Sequence, residues 1–175
     1  MACSRETLAA EIAGREALAR RLGVVVPGDW PPEFYDRPAL EYAAKYLEEN
    51  AESRGWMFWY LLLPEEAGSE NDSPILAGMC GFKGKPSVDG TVEIGYSMIP
   101  RFQRRGLATE AASALIAWAF SQREVSRVIA ETYPRLVPSV RVIEKLGFRP
   151  IGAGSEEGVV RYELAREAFE RERRR

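Results

Sequence analysis

Gln103-Arg104-Arg105-Gly106-Leu107-Ala108-Thr109 separates a β-type stretch, Thr91 to Ile99 closed by Pro100, from an Ala-rich helical stretch, Glu110 to Gln122. A strand that feeds a short loop of small residues at a helix N-terminus is suited to hold phosphate. The first N–H groups of the helix have no internal partner, and its dipole favours an anion. Gly106 and Ala108 carry almost no side chain, so a diphosphate can approach the backbone closely. The loop points to a ligand with a pyrophosphate. It is not a P-loop, because Gly106 is followed by Leu107-Ala108 and not by Lys and then Ser or Thr. Nor is it a dinucleotide fingerprint, since only one of the required glycines is present.

A second block follows in order. Arg127 to Pro134 (Arg-Val-Ile-Ala-Glu-Thr-Tyr-Pro) reads as a buried strand stopped by proline. Pro138 to Arg149 (Pro-Ser-Val-Arg-Val-Ile-Glu-Lys-Leu-Gly-Phe-Arg) reads as a short helix. Its apolar face is Val140, Ile143 and Leu146, and Gly147 is its stop.

From about Val92 to Arg149, the two blocks together resemble the GNAT superfamily of acetyl-CoA-dependent N-acetyltransferases. The first resembles that family's Q/R-x-x-G-x-G/A loop, and the second its following strand and its helix ending in E-K-L-G-F. The resemblance implies an α+β fold: a mixed, mostly antiparallel sheet flanked by helices, with a splayed parallel strand pair forming the acyl-CoA cleft. It implies acetyl-CoA as cosubstrate. Met98, Ile99 and Pro100 would lie along the thioester arm, and Gln103, Arg104, Arg105, Gly106, Leu107, Ala108 and Thr109 would hold the pyrophosphate. Gly95 would suit a bulge that frees backbone groups for the arm. Gly147 and Phe148 would close the helix and fill the core.

Composition sets the outer bounds. The 175 residues suit a single domain (1–175), with the cofactor core at about 91–149, flanking helices in 1–54 and a charged tail over 166–175. A net charge of −2 argues against nucleic acid as the general partner. No apolar run approaches the ~20 residues of a membrane span, and the first residues lack a signal-peptide core. Cytoplasmic residence is the default expectation. Cys3 and Cys80 give no disulfide framework, and with no histidine a metal site is not expected. The missing histidine also removes any imidazole base, so a base must come from a carboxylate, tyrosine, lysine or water.

The remaining elements arrange around this core. Glu6 to Leu22 reads as one amphipathic helix ending at Gly23, and Pro38 to Arg54 as another. Gly55 to Leu63 is a buried strand stopped by Pro64, Glu65 to Ser73 a polar hairpin loop, and Ile75 to Lys83 a further strand. A turn over Lys85 to Gly90 leads into the strand carrying Glu93. A last hairpin joins Arg149 to Ala153 with Val159 to Leu164, followed by a charged helical or frayed end from Arg166.

Acyl transfer from sulfur to an amine needs a base, because the amine arrives protonated. Glu93, on the strand that would flank the cleft, is the first candidate; a solvent-facing carboxylate is its other reading. Glu131 on the facing strand is the second, against a cross-strand ion pair. Many relatives place a tyrosine acid where this chain has Ile143, and an asparagine where it has Leu136. In these respects the chain resembles the branch that acetylates protein N-terminal amines, including those of ribosomal proteins. There a serine at the Ser139 position contacts the thiol; a helix-opening residue is the alternative. Seven acidic residues between Asp29 and Glu52, against Arg37 and Lys45, suggest a rim for a cationic amine, with Trp30, Phe34 and Tyr35 as an aromatic wall. Solvated helix faces and a core cap are the plain alternatives. Three functions stay open: N-acetyl transfer to a primary amine (a protein N-terminus or a small molecule), a non-catalytic acyl-CoA sensor, and nucleotide binding. The arginine-rich end (Arg171, Arg173, Arg174, Arg175) is a possible homodimer contact.

Overall fold

The structure, a computed structural model, describes residues 1–64 and 73–174. The hairpin loop expected over Glu65 to Ser73 lies, apart from Ser73, outside them. Three helices come first: α1 (Arg5–Ala13), α2 (Arg15–Leu22) and α3 (Arg37–Glu49). Then follow β1 (Phe58–Leu63), β2 (Ile75–Phe82), β3 (Thr91–Met98), α4 (Leu107–Ser121), β4 (Arg127–Thr132), α5 (Val137–Lys145), β5 (Arg149–Ala153), β6 (Val160–Ala165) and α6 (Arg166–Arg173). The strand order is β1-β2-β3-β4-β6-β5, with β3 and β4 parallel and β6 antiparallel to both β4 and β5. This is the mixed, mostly antiparallel α+β architecture expected.

The chain divides into two compact units. One comprises Met1–Cys80 with Tyr96–Gln103, and the other Gly81–Gly95 with Arg104–Arg175.

In the first unit, the helix expected over Glu6 to Leu22 is two helices. Gly14 breaks it at φ 126°, ψ 170°, a backbone state closed to L side chains, while its N–H still caps the carbonyls of Ala10 and Glu11. Ser4 opens α1 through a reciprocal capping box with Thr7. Asp36 opens α3 by accepting from the Ala39 N–H at 3.0 Å. That helix ends at Glu49 and passes into a 3₁₀ turn at Ala51–Ser53, short of the expected Arg54. The core of this unit gathers Leu8, Leu18, Leu40, Leu47, Phe58, Tyr60 and Leu76. Each fully buried leucine here contributes roughly 1.5–3 kcal/mol before entropy is charged against it. Cys3 belongs to the same core. Burial pushes its thiol up to about 12 although the Phe58 backbone opposes the shift, so it is an inert packing residue.

In the second unit, β3 and β4 pair from Thr91↔Arg127 to Ile94↔Ala130, and the ladder ends there, just before Gly95 and Glu131. Helix α4 buries Ala112, Leu115, Ile116, Ala119 and Phe120, a helical spacing that explains its length of 15 residues. It starts at Leu107, three residues ahead of the sequence expectation. The carbonyls at its C-terminus and in the loop just beyond are closed from far along the chain. The Arg166 guanidinium donates to the backbone oxygens of Phe120, Gln122 and Val125 at 2.5–2.9 Å. Helix α5 ends ahead of Gly147, and Phe148 is buried behind it, as the sequence indicated.

Candidate active site

The phosphate loop is built from its backbone. Arg104 and Gly106 both take left-handed conformations, at φ 61° and 81°. Between them they turn the chain sharply into α4. Gly106 is the N-cap, and no side chain caps α4. The first helical hydrogen bond runs from the Glu110 N–H to the Gly106 carbonyl at 3.0 Å. The N–H groups of Leu107, Ala108 and Thr109 precede it and have no intrahelical acceptor. A β-carbon added at Gly106 would meet nothing within 4 Å. The helix start is therefore open, uncapped and positive, which fits a diphosphate.

Met98, Ile99, Pro100 and Gln103 belong to the first unit. Met98 and Ile99 are buried, and Pro100 is exposed. The Ile99 N–H donates to the Ala77 carbonyl at 3.1 Å, and the Gln103 side-chain amide donates to the Met98 carbonyl at 3.0 Å. Gln103 thus braces the strand end leading into the loop. The backbone opposite Gly78 is equally tight, since a β-carbon there would come within 2.5 Å of the Ser97 carbonyl oxygen.

The two carboxylates proposed for catalysis have different surroundings. Glu93, on β3, meets Lys83 Nζ at 2.5 Å, and its main chain also accepts from the Lys83 N–H. Its side chain is 21% exposed against 65% for Lys83, so water screens the pair. Glu131, on β4, is opposite Arg161 of β6 in the antiparallel register. Its carboxylate accepts from Arg161 Nε at 2.7 Å, Ser155 Oγ at 2.5 Å and the Ser155 N–H at 3.1 Å. Burial alone raises its pKa. The Ser155 and Arg161 donors outweigh that, and the net shift is downward. This is the cross-strand ion pair that the sequence offered as one of its two readings.

Ser139 lies in the first turn of α5, half-buried, with its N–H on the Leu136 carbonyl at 2.9 Å. Leu136 is the N-cap of α5, where no side-chain cap bond forms. Ile143 is buried in the core.

Trp30 and Tyr35 converge on Glu11, a residue with no local pattern to single it out. Trp30 Nε1 donates to Glu11 Oε1 at 2.7 Å, and the Tyr35 and Tyr60 hydroxyls donate to Glu11 Oε2 at 3.1 and 2.6 Å. The rings pack edge to face: Tyr35 lies 5.0 Å from Phe58, and Phe58 lies 5.6 Å from Tyr60. Burial raises the Glu11 pKa and outweighs the three donors, from Tyr60, Trp30 and Tyr35, that each pull it down. Burial and the neighbouring Glu11 charge together raise both tyrosines. The only signal available in sequence was a glutamate on the apolar side of a helix. Its partners stand 19, 24 and 49 residues away.

An acetyltransferase (GNAT) domain model matches residues 5–149, and the chain belongs to that family. It is 32% identical over 130 residues to the uncharacterized N-acetyltransferase YjdG of Bacillus subtilis (strain 168), covering 74% of this chain and 72% of that protein. Among solved structures it is similar to a GNAT-family acetyltransferase from Bacillus anthracis, at 28% identity and a TM-score of 0.54 over 73% of this chain and 75% of that one. It shares its fold with the aminoglycoside acetyltransferase AAC(6')-Ib in complex with coenzyme A. There the identity is 21% and the TM-score 0.62, over 99% and 97% of the two chains. The protein is an acetyltransferase.

Proposed function

We propose that the whole chain acts as one acetyl-CoA-dependent N-acetyltransferase domain that transfers an acetyl group to a primary amine in a ternary complex. The observation that carries this is the uncapped, left-handed entry to α4, with open space at Gly106 and three N–H groups free of helical acceptors. A coenzyme A complex of a protein with the same fold supports the choice of cofactor. When bound, acetyl-CoA supplies an activated acetyl thioester. Arg104 to Thr109 would hold its diphosphate through backbone N–H groups, and Met98 to Pro100 would line its arm.

Glu93 is the residue we assign to the acceptor's proton, directly or through water. Its partner Lys83 is on a long exposed stem, so the carboxylate keeps the freedom a base requires. Glu131 has its lone pairs engaged by Ser155 and Arg161 and a pKa moved away from neutrality. We therefore give it the task of fixing β4 against β6. Ser139 is our candidate for contact with the departing thiol, as in the branch acting on protein N-termini, since Ile143 offers no proton. Trp30 and Tyr35 serve the acceptor side by fixing their loop through Glu11. No described helix is long and apolar enough to cross a membrane, and we place the reaction in the cytoplasm.

The test is thiol release from acetyl-CoA with a panel of amines. Amine-dependent release with an acetylated product is the expected result. Tight acetyl-CoA binding without transfer to any amine would replace the reading with that of an acyl-CoA sensor.

A further inference from the structure

Within the first unit, the stretch 29–35 of the loop between α2 and α3 is pinned through four of its residues. Trp30 and Tyr35 hold Glu11. The Glu33 carbonyl accepts from Ser97 Oγ at 2.6 Å, and Asp29 pairs with Arg101 at 2.9 Å. Between these anchors stands Phe34, at φ 64° and 68% exposed. A phenylalanine in the left-handed region is a backbone outlier, and such outliers persist where the surroundings over-determine them. An exposed ring gains nothing from burial, so neither its conformation nor its position is explained by folding.

The neighbouring charges sharpen the point. Of the acidic residues in this stretch, Asp29 pairs with Arg101, Glu41 with Arg37, Glu48 with Arg5 and Glu49 with Lys45, while Asp36 caps α3. Glu33 is exposed and makes no ion pair among the described residues. Folding thus leaves the Glu33 carboxylate without an ion pair among the described residues, beside an exposed ring. Both are on a loop tied to Ser97 and Arg101, which bracket Met98 to Pro100.

We propose that Glu33 and Phe34 recognise the acceptor, and that the acceptor is a primary amine bearing a second cationic group. The carboxylate attracts the second charge, and the ring face receives it by cation–π contact. The proposal rests on the acetyltransferase reading above and adds the acceptor class and the residues that select it. Phe34 is held outward at the expense of backbone comfort, with the loop anchors keeping it beside the segment assigned to the thioester arm.

The test uses 1,5-diaminopentane and 1-aminopentane as matched probes, read by thiol release at saturating acetyl-CoA, with calorimetry for acetyl-CoA itself. The wild type should show a kcat/KM at least about tenfold higher for the diamine. Glu33→Gln and Phe34→Ala should each raise the diamine KM roughly fivefold, with a much smaller change in kcat and no change in acetyl-CoA affinity. Phe34→Gly should do the same while raising the melting temperature by roughly 2 °C, because glycine relieves the left-handed strain. Equal kcat/KM for the two amines, turnover of neither, or an unchanged diamine KM in both variants would overturn the proposal if acetyl-CoA still binds. Failure of the folded wild type to bind acetyl-CoA would instead remove the reading beneath it.

Discussion

Glu11 in the first unit and Glu131 in the second both meet a desolvation penalty, and the two regions answer it differently. Glu11 is given three neutral donors from Trp30, Tyr35 and Tyr60, and burial still raises its pKa. Glu131 is given Ser155 and a guanidinium, and its pKa falls although burial pushes the other way. At Glu11 the burial penalty exceeds what three neutral donors offset, whereas at Glu131 the Ser155 donors, with Arg161 behind them, together exceed it. The difference runs through both units. The second engages its Glu131 carboxylate with Ser155 and Arg161, and the open start of α4 is the anion site we propose there. The first leaves Glu33 without an ion pair among the described residues, on a loop anchored to Glu11, and that is the cation site we propose.

That contrast can be broken most severely at the α4 entry. Gly106→Glu places a carboxylate where the second unit is arranged for an anion, and acetyl-CoA affinity should fall by about a hundredfold or more. Competition binding measures it, and unchanged affinity would mean that the loop does not hold the diphosphate. Glu93→Gln comes next. It leaves the loop untouched, so acetyl-CoA binding should persist while kcat drops by roughly a hundredfold, as expected for loss of a general base. Turnover equal to wild type would leave Glu93 only its Lys83 pair.

Effects on stability follow. Glu131→Ala leaves the Ser155 donors and Arg161 without their acceptor. Because Arg161 is itself 37% exposed and stays hydrated, the loss should be about 2 kcal/mol and not the full cost of a broken buried pair. Denaturant melts check this, and a loss under roughly 0.5 kcal/mol would place the pair among ordinary surface bridges.

The smallest effect is also the sharpest in sign. A carboxyl group whose folded pKa is raised contributes stability below its unfolded value near 4.3, and loses that contribution as pH rises through the folded value. Glu11 is such a group. Glu131, with a lowered pKa, contributes above its unfolded value and loses that contribution as pH falls through the folded one. Melting temperatures from pH 3.5 to 8 should therefore show Glu11→Gln flattening the decline on the neutral side and Glu131→Gln flattening the decline on the acid side. The same direction for both variants would contradict the comparison.

The sequence made legible what is encoded locally. The strand–loop–helix around Gly106, the β4–α5 block ending at Gly147, and the cross-strand alternative for Glu131 all depend on patterns within a few residues or one register. Gly14 was visible, but the period of apolar residues ran through it, and only the backbone geometry shows the helix breaking there. The Glu11 cluster and the closure of α4 by Arg166 join residues up to 49 and 46 positions apart, and no local pattern announces them. Trp30 and Tyr35 were chosen as aromatics near an acidic rim. The structure gives them a carboxylate to hold and leaves the exposed position to Phe34.

We propose that the open start of α4 belongs to an acetyl-CoA site. The most direct measurement is a calorimetric titration of the purified, ligand-free protein with acetyl-CoA, using ATP as the control phosphate ligand. Micromolar binding of acetyl-CoA and none of ATP is the predicted result. Absence of acetyl-CoA binding in a folded sample, or equal binding of ATP, would contradict the account.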